Sequence, residues 1–217
     1  MDVKKSIAFE SYGINLIMNE SESPTAVLII AHGAGASMTH DFLNKLAFAF
    51  QEKDITVVRF NFPYMDAGKK FPGSPKINVS AWRTVVEWVS GYYDLPIFIS
   101  GKSYGGRMAS HLVAENSGLD IEGLIYFGFP LHAPGKKSTD RANHLQSVSI
   151  PQLFLQGTND ALADLALMNS LVHTLDKSEL ILFDGADHSF KTKGRKLQET
   201  ITEISEKTLV WMQSIKE

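Results

Sequence analysis

Three residues of this chain have the types and the order needed for nucleophilic acyl chemistry: Ser103, Asp160 and His188. A serine hydroxyl is a poor nucleophile at its own pKa, so it needs a base, and the base needs an orienting carboxylate. Ser103 lies in Gly101-Lys-Ser-Tyr-Gly105, a G-x-S-x-G pattern. The apolar run from Ile97 precedes it, and helix-like sequence from Gly106 to about Glu115 follows. Strand, sharp turn and helix is the context that a nucleophile elbow requires. The flanking glycines permit the tight turn, and the helix N-terminus aims its free N–H groups at whatever bonds to the serine.

His188 follows the last apolar strand pattern, in Phe183-Asp-Gly-Ala-Asp-His-Ser-Phe190, and is the candidate general base. Among the other histidines, His111 and His173 fall on predicted helices and read as structural, while His132 and His144 belong to a basic loop. His32 precedes Gly33 and suits bracing a loop better than moving protons. The acid is expected at Asp160, after the turn Gly157-Thr-Asn. A helix N-cap is its competing role, which Asn159 could fill instead. Asp164 is the reserve acid, Asp187 is too close in sequence to His188, and Asp184 is less well placed.

An acyl-transfer intermediate also needs donors for its oxyanion. The backbone N–H of Tyr104 is one; the loop His32-Gly33-Ala34-Gly35, after an earlier strand, supplies the other, Ala34 first and Gly35 second. Further site-lining candidates are His32, Gly33, Gly35, Lys102, Asn61, Phe62 and His132. No dinucleotide fingerprint, P-loop, H-E-x-x-H or clustered metal set occurs, so neither metal nor cofactor is expected. The lysines at 69, 70, 136 and 137 read as solvated loop charge, with an acidic substrate group as the minority view.

Elements must position these groups. The chain has 217 residues, 44% hydrophobic and 21% charged, which suits one domain spanning 1–217 with a sizeable core. A formal charge of −3 and a pI near 6.2 predict no affinity for nucleic acid or an anionic membrane. No bilayer-spanning run, no signal-peptide pattern and no cysteine occur, and a cytoplasmic protein is expected.

Residues 6–18 predict two short strands turning at Tyr12-Gly13. The runs 26–31, 55–60, 97 onward, 121–129, 151–156 and 179–183 predict further strands, several buried on both faces. Helices are expected over 39–52, around Val79 to Val89, over 106–115, over 160–174 and over about 194–215. Residues 65–78 and 130–149 are predicted irregular. Strand alternating with helix demands a mainly parallel sheet covered on both faces, an α/β class.

With these motifs in order, the chain resembles α/β-hydrolase-fold proteins from about Ala26 to its end. The likeness rests on His32-Gly-Ala-Gly35, Gly101-Lys-Ser-Tyr-Gly105, Gly157-Thr-Asn-Asp160 and Gly185-Ala-Asp-His188. The wording Arg59-Phe-Asn-Phe-Pro-Tyr64 and Phe129-Pro-Leu-His132 is similar to a small branch with dienelactone-hydrolase relatives and the testis-expressed and nonspecific-lethal-complex hydrolase-like proteins. The resemblance implies at most eight strands, with Ser103 as nucleophile, Asp160 as acid and His188 as base. Larger members insert a lid where only 130–149 is available here, which favours small or accessible acyl substrates.

The expected function is therefore a serine hydrolase of a small carboxylic ester or thioester, with a small-molecule acyl substrate as partner. The alternatives are a binding or complex-forming protein on the same scaffold, or an acyl transferase or peptidase using the same serine.

Overall fold

The continuous aliphatic runs become the middle of one sheet. In the computed structural model, which describes residues 2–115 and 118–215, eight strands form: β1 Asp2–Phe9, β2 Tyr12–Asn19, β3 Ala26–Ala31, β4 Ile55–Phe60, β5 Ile97–Lys102, β6 Gly123–Phe127, β7 Gln152–Gly157 and β8 Ser178–Phe183. Their order across the sheet is β1-β2-β4-β3-β5-β6-β7-β8. β1 pairs antiparallel with β2 and β2 with β4, and every other pairing is parallel. Strands β3 and β4 are buried at every position, as a sheet covered on both faces requires.

Among the described residues, six α-helices cover the sheet: α1 Asp41–Gln51, α2 Pro63–Asp66, α3 Pro75–Tyr92, α4 Tyr104–Ala114, α5 Leu165–His173 and α6 Leu197–Ser214. Successive side chains of each strand face opposite layers. Val27, Ile29 and Ala31 of β3 join the core under α3, α4 and α5, while Ala26, Leu28 and Ile30 join the core under α1 and α6. The chain leaves β3 toward α1 on one face and leaves β5 toward α4 on the other. The carboxyl ends of these neighbouring strands therefore border a topological switch point, where ligands of open α/β sheets bind.

Several boundaries differ from the sequence expectation. The hairpin turns at Glu10-Ser11, not at Tyr12-Gly13, because Glu10 takes the left-handed corner at φ 48°. Gly13 lies inside β2, where a Cβ would come within 2.5 Å of Ser6 Oγ, so its smallness serves close packing. The segment 65–78 is less irregular than expected: α2 and α3 begin at Pro63 and Pro75, each preset for a first helical turn. Residues 130–149 hold a 3-10 helix, Asp140–Ser147. β6 is shorter than 121–129, α4 begins at Tyr104 and α5 begins only at Leu165. No helix among the described residues is long and apolar enough to cross a membrane.

Candidate active site

The β5–α4 turn is built by close packing. A Cβ on Gly101 would lie 2.1 Å from the amide nitrogen of Gly106, and one on Gly105 would lie 2.5 Å from the carbonyl of Ala31. The two glycines thus let helix and strand touch, and neither carries the unusual dihedral. Ser103 does, at φ 52° and ψ −114°. A non-glycine residue held there stores roughly 1–3 kcal/mol of backbone strain, which the surrounding packing must hold in place. The carbonyl of Ser103 accepts the first helical bond, from Arg107 N–H at 3.1 Å, while its side chain stands above the sheet edge.

Ser103, His188 and Asp160 meet there. His188 Nε2 lies 2.9 Å from Ser103 Oγ, and His188 Nδ1 lies 2.6 Å from Asp160 Oδ2. Asp160 has no exposed side-chain surface, whereas the imidazole is one quarter exposed. Three donors converge on the carboxylate: Gln156 Nε2 at 2.6 Å and His188 Nδ1 on Oδ2, and Leu162 N–H at 2.8 Å on Oδ1. Burial by itself would raise the pKa of Asp160. The His188 hydrogen bond and charge, the Leu162 amide and the nearby Lys102 charge outweigh it and leave the carboxyl below its ordinary value. The acid turn and the histidine loop are stitched together by Asn159 N–H to Ala186 C=O at 2.9 Å and Gly185 N–H to Thr158 Oγ1 at 2.8 Å.

The competing acids are engaged elsewhere. Asp164, not Asp160, caps α5, accepting from Leu167 N–H at 3.1 Å and pairing with Lys137 at 2.5 Å. Asp187 holds its own turn through the amides of Ser189 and Lys191, and Asp184 accepts from Thr158.

The loop after β3 lies beside Ser103, with Ala34 exposed. Among the described residues, no acceptor takes the N–H of Ala34 or of Tyr104, so both are open to a ligand. His32 is buried and accepts the N–H of Phe62 on Nε2 at 3.1 Å, while its Nδ1–H donates to the carbonyl of Gly33 at 2.8 Å. Burial lowers its pKa to about 4, so it is a neutral brace of the loop.

A cleft of about 570 Å³ opens over Ser103 and His188. Gly33, Ala34 and Lys102 line it, as do Phe42, Leu43, Leu162 and Leu197, which the sequence did not single out for the site. Gly35, Asn61, Phe62, His32 and His132 do not line it. Asn61 ties Met38 N–H to Asp66, Phe62 packs edge-on to His32 and Tyr104, and His132 accepts from Asp164 N–H at 2.8 Å. Gln156 is the functional neighbour that sequence reading missed. Its one signal is an amide at the end of an apolar strand, four residues before the acid.

With this geometry in place, similarity to known proteins becomes informative. A family model described as an alpha/beta hydrolase domain matches residues 24–215. A serine hydrolase homologue from Coxiella burnetii is similar in structure at TM-score 0.75 and 21% identity, over 93% of this chain and 96% of that one. A serine hydrolase without a lid from Xanthomonas campestris gives 0.77 and 21%, over 97% and 94%. A dienelactone hydrolase from Anabaena variabilis gives 0.78 and 18%, over 95% of each. At these identities the three likenesses speak for the fold.

Proposed function

The chain belongs to the alpha/beta hydrolase domain family, and on that premise we propose that it is a serine hydrolase cleaving a small carboxylic ester or thioester through an acyl-enzyme. The observation that carries this reading is the unbroken chain from Ser103 Oγ to His188 Nε2 at 2.9 Å and from His188 Nδ1 to Asp160 Oδ2 at 2.6 Å.

In the first half-reaction His188 Nε2 takes the Ser103 hydroxyl proton as Oγ attacks the acyl carbon. The carbonyl π electrons move to oxygen, and the oxyanion is held by the free amides of Tyr104 and Ala34. Collapse expels the alcohol or thiol, which leaves with the proton from the imidazolium. Water then repeats the cycle on the acyl-enzyme: His188 takes its proton, the hydroxyl attacks, and the carboxylic acid departs as Ser103 regains a proton. Asp160 keeps Nδ1–H pointed at itself and stabilises the imidazolium without taking its proton. The apolar walls from Phe42, Leu43, Leu162 and Leu197 suit a short acyl group, and the absence of any inserted domain between β6 and β7 leaves the cleft open.

Intact-mass spectrometry of the protein mixed with p-nitrophenyl acetate and with a short-chain acyl thioester tests this. A transient acyl adduct that maps to Ser103 and does not form in Ser103→Ala is expected. An adduct on another residue, or none with either ester class, would contradict it.

A further inference from the structure

Lys102 precedes the serine at the end of β5, and its partly buried side chain reaches over Phe42 of α1. Its ammonium donates to the backbone carbonyl of His188 at 2.5 Å. On the way it passes two aromatic faces, 5.5 Å from the ring centre of Phe190 and 6.0 Å from that of Phe42. No carboxylate pairs with it directly among the described residues. Asp160 and Asp187 act on it only through space, and burial brings its pKa down to about 8. A lysine amine sunk among aromatic rings without a counter-ion costs stability. Space has nevertheless been cleared for it: Gly128, at φ 74°, is where a Cβ would come within 3.1 Å of Lys102 Nζ and 3.6 Å of the His188 ring.

The segment that carries His188 is a polar turn between β8 and α6, and its backbone bonds run within the turn, to the end of β8 or to the acid turn. Phe190 N–H reaches Asp187 C=O at 2.9 Å, and Asp187 N–H reaches Lys191 C=O at 3.0 Å. The Lys102 contact is different, because it ties the histidine's own peptide to the strand that carries the serine. We propose that Lys102 is a positioning residue, gripping the His188 carbonyl so that the imidazole stays in line between Ser103 and Asp160. Its charge also helps to hold Asp160 ionised. This assignment rests on the reading of Ser103, His188 and Asp160 as the reacting set.

The test compares the parent with Lys102→Met, which keeps the stem and removes the donor, Lys102→Gln, which keeps a neutral donor, and Lys102→Arg, which keeps the charge. Two readouts are taken: the rate constant for Ser103 phosphonylation by a fluorophosphonate, and the downfield Nδ1 proton of His188 in nitrogen-15 histidine spectra. Lys102→Met is expected to slow labelling roughly 10- to 100-fold, the cost of a misaimed base, and to lose the downfield signal, with Lys102→Arg recovering part of both. Equal labelling rates with an unchanged signal in folded Lys102→Met would overturn the assignment and leave the reacting set standing. A parent that is not labelled would instead overturn the reacting set, and the His188 signal alone would then decide whether Lys102 orders the ring. Should Lys102→Met not fold, Lys102→Leu, which also lacks a donor, is read in its place against Lys102→Gln and Lys102→Arg. A deficit in Leu that either donor-bearing variant partly recovers supports the assignment, and parent-like behaviour of folded Leu overturns it.

Discussion

Gln156 and His188 share one oxygen of Asp160. The Gln156 side-chain amide donates to Oδ2 at 2.6 Å, and His188 Nδ1 donates to the same atom at 2.6 Å. Gln156 is fully buried, and its carbonyl oxygen has no partner among the described residues. An unpaired buried acceptor is costly, so the side chain is held for what its donor does. Removing that donor leaves a buried carboxylate with two partners instead of three. Gln156→Leu is expected to destabilise the fold by roughly 1–3 kcal/mol, the scale of a hydrogen bond to a charged group. It also frees the Asp160 carboxylate to turn from the His188 ring, so fluorophosphonate labelling of Ser103 is expected to slow. Urea unfolding and the labelling rate check the two effects. A parent-like labelling rate in folded Gln156→Leu would remove Gln156 from the account.

Strain at Ser103 gives a second prediction. The positive φ is tolerable for glycine and costly for any other residue. Ser103→Gly is expected to gain about 1 kcal/mol of stability while losing all serine chemistry. Thermal unfolding measures it, and a melting point at or below that of Ser103→Ala would contradict it.

Close approach at the turn predicts the opposite sign. Gly101→Ala places a Cβ 2.1 Å from the Gly106 amide nitrogen, a contact with backbone that no rotamer relieves. A loss of at least about 2–3 kcal/mol is expected, with poor recovery of soluble protein. Gly91→Ala, where a Cβ would meet nothing within 4 Å and no positive φ adds strain, serves as the control for the glycine change itself.

Two neutral histidines, the buried His32 and the half-buried His144, set an acid limit on stability. Burial lowers His32 to about 4, and burial followed by the His111 and Arg107 charges lowers His144 to about 3, both from an ordinary 6.5. Between the ordinary and the lowered values the unfolded chain binds more protons than the fold. Stability therefore rises with pH through that window and is lost on acidification below about 6.5. Urea midpoints at about pH 5 and pH 7 are expected to differ in that sense, and His144→Phe, which keeps a ring against His111, should reduce the difference. Equal midpoints would mean that neither ring stays neutral.

Much of the molecule is legible from residue order alone, for a physical reason. Ala26 to Ala31 is aliphatic throughout and Ile55 to Phe60 is mostly apolar because both faces are covered, and both strands have the boundaries the pattern predicts. Ser103, Asp160 and His188 each stand just past a strand end, and the geometry brings them together as the motifs lead one to expect. What stayed hidden depends on cross-chain contact. In sequence the cap falls to Asp160 or Asn159, but α5 begins only at Leu165, so Asp164 caps it and Asp160 is left to the histidine loop. Lys102 is a site-lining candidate in sequence, but its bond to the His188 carbonyl crosses 86 residues, and no local pattern reveals it. His132 sits in a basic loop yet faces inward to Asp164, which no local pattern reveals.

The central claim is that Ser103 is an activated nucleophile whose base is His188. The most direct measurement is to treat the purified protein with a fluorophosphonate and map the adduct, alongside Ser103→Ala and His188→Ala. Labelling confined to Ser103, absent in Ser103→Ala and lost or greatly slowed in His188→Ala, is the predicted result. A folded, monodisperse parent that takes no label, or that labels equally without His188, would contradict it.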